Sequence, residues 1–153
     1  MKTFYSLIII MIFIGLSCTQ KSVLSEKDKK AVENEVHAFM TSIEAAAEKA
    51  SPEEYFNHFL QTDELAVATL GQLVTNPAAV RDTVNKHLGM MEKQLIKTIA
   101  EKIYVINKEA AVLSAAKVTT ITLKNGAQMT MPYAWTLLLV KRDGEWKIAH
   151  VHN

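Results

Sequence analysis

Residues 141–153 read KRDGEWKIAHVHN, and the Asp143-Gly144 pair inside them decides the fold. Asp-Gly between apolar runs is a strong signal for a two-residue hairpin turn, because both central positions need positive φ. Side chains alternate across a strand, so such a turn fixes the pairing by counting. Arg142 then faces Glu145, Lys141 faces Trp146, Leu139 faces Ile148, Leu137 faces His150 and Trp135 faces His152. One face of the hairpin carries Trp135, Leu137, Leu139, Trp146, Ile148, His150 and His152, continued by Tyr133, Met131 and Met129. The other carries Leu138, Val140, Ala149 and Val151 among Thr136, Arg142, Glu145 and Lys147. The first face is bulky and nearly uncharged, so it is expected to meet the helices. Its polarity rises away from the turn, as in the mouth of a pocket. The apolar strip on the second face reads as a partner surface.

Working outward, residues 128–142 form the strand that enters this turn. Ala110–Leu123 forms the strand before it, closed by Lys124-Asn125-Gly126, and residues 95–106 form one more. The texture upstream is helical. Ser25-Glu26-Lys27-Asp28 caps a helix running to about residue 49, with Val32, Val36, Phe39, Ile43, Ala46 and Ala50 as its apolar stripe. Ser51-Pro52-Glu53-Glu54 opens a second helix, with Ser51 and Glu54 as a capping box and Tyr55, Phe56, Phe59 and Leu60 inside. Glu64–Leu70 reads as a short strand ended by Gly71. Asn76-Pro77 starts a third helix bearing Val80, Val84 and Leu88. Helices first and an antiparallel meander second is an α+β pattern: N-terminal helices packed on a strongly curved, mostly antiparallel sheet.

The 153 residues, 49% apolar and 22% charged, suit one globular domain. Residues 1–17 read as a secretory signal peptide: Lys2 precedes a ten-residue apolar run, Leu7–Leu16, well short of the ~20 residues a membrane-spanning helix needs. Cys18 is the only cysteine, so it has no disulfide partner in the chain. Its place at the signal junction resembles the acylated cysteine of bacterial lipoproteins. Residues 18–24 would then be a lipid-attached tether and 25–153 the domain. That resemblance implies a membrane anchor at Cys18 in the cell envelope, facing the periplasm. Without residues 1–17 the chain has 16 acidic and 16 basic side chains, since Lys2 alone is lost. A zero net charge offers nucleic acid no basic field.

The two N-terminal helices, the Asn76-Pro77-Ala78-Ala79-Val80 helix opening and the closing Asp143–His152 stretch together resemble the nuclear-transport-factor-2-like superfamily, in its polyketide-cyclase-like group. The resemblance spans residues 25–153. It implies a cone-shaped domain with a pocket between helices and sheet, and a homodimer through the outer sheet face at Leu138, Val140, Ala149 and Val151. Some members isomerise, dehydrate or cyclise, and others only bind or assemble.

On this reading Tyr55, Phe59, Tyr133, Trp135, His150 and His152 line a site for an apolar or aromatic small molecule. The expected function is an envelope-anchored binding or assembly domain. The alternative is an isomerase, dehydratase or cyclase with His150 or His152 as general base. A steroid-isomerase-like base is not placed by the sequence, because Leu65–Leu70 holds no carboxylate. His150-x-His152 has no third ligand nearby in the sequence, so neither metal nor cofactor is expected. Lys97, Glu101, Lys102 and Lys117 read as a solvated strand face.

Overall fold

The computed structural model describes residues 24–69 and 71–153. The expected signal peptide and acylated Cys18 lie outside the described residues. Helix α1 spans Glu26–Glu48, and Ser25 caps it by accepting the Asp28 N–H at 3.1 Å. Val32, Val36, Met40, Ile43, Ala46 and Ala47 are its buried stripe. Fully burying a side chain such as Ile43 is worth about 2 kcal/mol. Ala50 ends the helix in the left-handed region, at φ 49°.

Helix α2 is one turn, Pro52–Phe56. Ser51 occupies its N-cap, but the side chain makes no capping bond. The expected capping box is absent, and Glu54 lies instead 3.8 Å from the Lys49 ammonium. Strand β1, Ala66–Thr69, pairs with β2, Gln72–Val74, as a small hairpin. The sequence reading had no strand at 72–74, because three residues carry too little periodicity. Helix α3, Pro77–Gly89, is capped by Asn76, which accepts the Ala78 N–H at 2.9 Å.

Strands β3 (Met91–Asn107), β4 (Ala110–Leu123), β5 (Gln128–Arg142) and β6 (Glu145–His152) form the meander. The six strands lie in the order β2-β1-β6-β5-β4-β3, antiparallel except for the parallel β1/β6 pair. Helices on one face of a mixed, curved, open sheet make the α+β architecture expected. The core lies between α1 and the inner face: Leu113, Leu137, Leu139 and Ile148 are fully buried there.

The turn forms as read, with Asp143 at φ 54° and Gly144 at 83°. Arg142↔Glu145, Lys141↔Trp146 and Leu139↔Ile148 pair as counted. Beyond them the register shifts: Leu138 faces His150, Leu137 faces Val151 and Thr136 faces His152. Ala149 is the extra residue, a β-bulge. Beside it Ile148 donates its N–H to the His58 carbonyl at 2.8 Å and accepts from the Leu60 N–H at 2.9 Å. A bulge swaps the faces of everything after it. Val151 turns inward and is buried, whereas His152 is exposed and His150 half-buried on the outer face beside Leu138. Two expectations are thereby corrected. The terminal histidines do not look inward. Ala149 and Val151 are buried and belong to the core, not to the outer strip.

Candidate functional site

A cavity of about 280 Å³ opens between the three helices and the inner face of the sheet. Helix α1 brings Ile43, Glu44 and Ala47 to it, α3 brings Val80, Val84 and Leu88, and β1 brings Val67 and Thr69. The apolar spacing of each helix produces this convergence, because every inner stripe must bury itself against the same sheet face.

Four of the six expected lining residues, Tyr55, Phe59, Tyr133 and Trp135, stand in the wall. The two histidines do not, for the reason of register given above. Their place at the end of β6 is taken by Val151, with Asn153 beyond it.

Tyr55 packs on Phe59 with ring centroids 5.4 Å apart, and Tyr133 meets Trp135 edge-to-face at 5.6 Å. Neither phenol oxygen has a hydrogen-bond partner among the described residues, yet neither is sealed from open space. Burial pushes the Tyr55 phenol up to about 12. Burial, and then the fields of Tyr55 and Glu44, push Tyr133 up as well. Both phenols are therefore neutral hydrogen-bond donors at physiological pH. The Trp135 indole N–H is enclosed without an acceptor among the described residues.

Behind this wall lies a charge pair that the sequence reading missed. Lys117, 2% exposed, donates to Glu44 and to the Thr98 hydroxyl, both at 2.5 Å. Its ammonium sits 6.0 Å from the Trp135 ring centroid. The expectation of a solvated face at Lys117 is corrected. The signal was in the alternation Ala111, Leu113, Ala115, Lys117, Thr119, Ile121, which puts the lysine in the buried phase of β4. Glu44 follows Met40 by one helical turn, so it borders the apolar stripe of α1. A buried ammonium must have a partner, and Glu44 supplies it. Among the described residues no group of three His, Cys, Asp or Glu side chains could hold a metal ion. Thr83, His87 and Gln94 add to the polar part of the lining.

A family model described as a SnoaL-like domain matches residues 36–153. A nuclear transport factor 2 (NTF2-like) superfamily protein from Salmonella enterica is similar in structure, with a TM-score of 0.71 and 19% identity over 81% of this chain and 90% of that one. The association domain of CaMKII from C. elegans gives 0.64 and 18%, over 84% of this chain and 98% of its own. A type 2 hexachlorocyclohexane dehydrochlorinase gives 0.66 and 14%, over 83% and 86%. No curated protein matches the sequence. At such identities the likenesses show the fold, which is NTF2-like.

Proposed function

The chain belongs to the SnoaL-like domain family, and from that premise we propose that it takes up an uncharged small molecule, apolar or aromatic in body and bearing an oxygen acceptor. The observation that carries this reading is the pair of phenols, Tyr55 and Tyr133, without a hydrogen-bond partner among the described residues, on a mostly apolar cavity. Lys117 behind the wall is paired with Glu44, and among the described residues no lysine or arginine lines the cavity. Two neutral O–H donors instead favour a carbonyl or hydroxyl oxygen. The domain is held at the bacterial envelope through an acylated Cys18, facing the periplasm, and it pairs as a homodimer through the outer sheet face. Leu138 and Val140 remain on that face, opposite Val112 and Ala110 of β4.

The test is calorimetric titration of the purified domain with 2-naphthol and, separately, with 2-naphthoate. Naphthol should bind and naphthoate should not. Trp135→Ala should abolish uptake with the fold retained by circular dichroism. Tyr55→Phe should weaken it by a factor of roughly 2–10, as loss of one hydrogen bond does. Unchanged affinity in Trp135→Ala, or preference for the carboxylate, overturns the reading.

The alternative is an isomerase, dehydratase or cyclase-type enzyme. One of the similar structures is named as a dehydrochlorinase, and a carboxylate, Glu44, lines the cavity here. In this reading Glu44 is the proton carrier. Turnover lost in Glu44→Gln, with naphthol affinity kept, would favour it.

A further inference from the structure

On the far side of α1 from the cavity, Ser42 and His58 meet in a groove that also carries Lys141, Trp146 and Lys147. The His58 Nδ1 lies 2.8 Å from the Glu54 carbonyl and 3.3 Å from that of Tyr55. Carbonyl oxygens only accept, so Nδ1 carries the ring proton of the neutral imidazole. Nε2 is then the bare lone pair, and it lies 2.8 Å from the Ser42 hydroxyl. That hydroxyl has one proton and two acceptors, Nε2 and the Phe39 carbonyl, also at 2.8 Å. The ring is held edge-on by Phe39, with centroids 5.4 Å apart. A hydroxyl, a base within hydrogen-bond reach and a third group orienting that base make up an activated nucleophile. Ser42 is exposed, so a small reagent can reach it. The Lys147 ammonium, 3.1 Å from the Asn57 carbonyl, pairs with Glu145 at 2.9 Å on the rim of the same groove.

We propose that Ser42 and His58 form a second reactive site, a nucleophile and its base, which takes acyl groups from small activated esters. The Ser42 oxygen bonds to the acyl carbon while its proton passes to Nε2. Nε2 gives that proton to the leaving alkoxide or phenoxide, or to solvent water, as the bond from the acyl carbon breaks, and is bare again. Water then attacks the acyl-serine, with Nε2 taking one of its protons and passing it to the Ser42 oxygen as the acyl–oxygen bond breaks, which restores the hydroxyl. The sum is ester plus water giving acid plus alcohol. This groove shares no side chain with the cavity, so it stands or falls apart from the ligand reading.

The probe is p-nitrophenyl acetate with the whole domain, followed by peptide mass mapping. Acetyl should appear on Ser42 at least about tenfold faster than on the neighbouring Thr41, whose hydroxyl bonds only to the His37 carbonyl. Nitrophenolate release from that site should vanish in Ser42→Ala and fall by a similar factor in His58→Gln. Should His58→Gln not fold, the ratio of Ser42 to Thr41 labelling in the unaltered protein decides alone. Acetyl confined to lysines, or Ser42 labelled no faster than Thr41, means that the pair only pins α1 to α2 and overturns the proposal.

Discussion

Ala50 closes α1 at φ 49°, a conformation that costs an alanine about 1 kcal/mol and a glycine almost nothing. Ala50→Gly should therefore stabilise the domain by about 0.5–1 kcal/mol in urea denaturation, though glycine loosens the unfolded chain. The opposite sign is expected at Glu44. Its replacement by Gln removes the countercharge and leaves the enclosed Lys117 ammonium with neutral acceptors, the amide oxygen and the Thr98 hydroxyl. Stability should drop by roughly 3 kcal/mol, the usual loss when one partner of a buried pair is removed. The two cavity phenols give a third outcome, at high pH. Their folded-state values lie above the ordinary 10, with Tyr55 at about 12. A group whose value is raised on folding stabilises the native state below its unfolded value, and that stability is lost as pH climbs. The loss should run between pH 10 and about 12, and Tyr55→Phe should lessen it. Absorbance at 295 nm, followed alongside the melting temperature, checks both.

At the scale of elements, the strand limits of β4, β5 and β6 and the caps of α1 and α3 were legible in the sequence. Each is written by a local pattern: an Asn-Gly or Asp-Gly turn, a serine or asparagine before the first helical residue, an unbroken alternation. The fault lay at Ala149. Nothing in Ile-Ala-His marks a bulge, because its cause is non-local: the 58–60 segment bonding to Ile148 on the other edge of β6. Counting from the turn was sound for three pairs and then put both histidines on the wrong face. The Tyr133–Trp135 wall survived because β5 has no such irregularity before it. The buried role of Lys117 was also written in an alternation, and was misread through its charge. Deleting Ala149 should flatten the bulge and keep the pairs Leu138/His150, Leu137/Val151 and Thr136/His152, because Ala149 is the one extra residue. Val151 should stay in the core and both imidazoles outside it. The expected result is a loss of at most about 3 kcal/mol, seen in denaturation, with the Val151 amide still protected from hydrogen exchange.

For the molecule as a whole, the two faces of the sheet divide the work. The inner face supplies core and cavity. The outer face presents, across four strands, the row Tyr104, Val112, Leu138 and His150, with Tyr104 and Ile106 exposed at its β3 end. An apolar strip of this kind is suited to a second copy of the chain. Leu138→Asp should convert the dimer proposed above into a folded monomer, measured by sedimentation equilibrium, with naphthol binding retained. A species that sediments as a monomer before the change would remove the homodimer from the account.

The position of β6 carries a last consequence. Among the described elements it comes last in sequence, yet it lies within the sheet, joining β1 on one edge to β5 on the other. A nascent polypeptide emerging from the ribosome has its helices and outer strands long before it has the one piece that unites them. Until the final segment is synthesised the two halves have no shared backbone ladder. Closure of the sheet should therefore be one late, cooperative event in folding, which waits on the pairing of β6 with both of its neighbours.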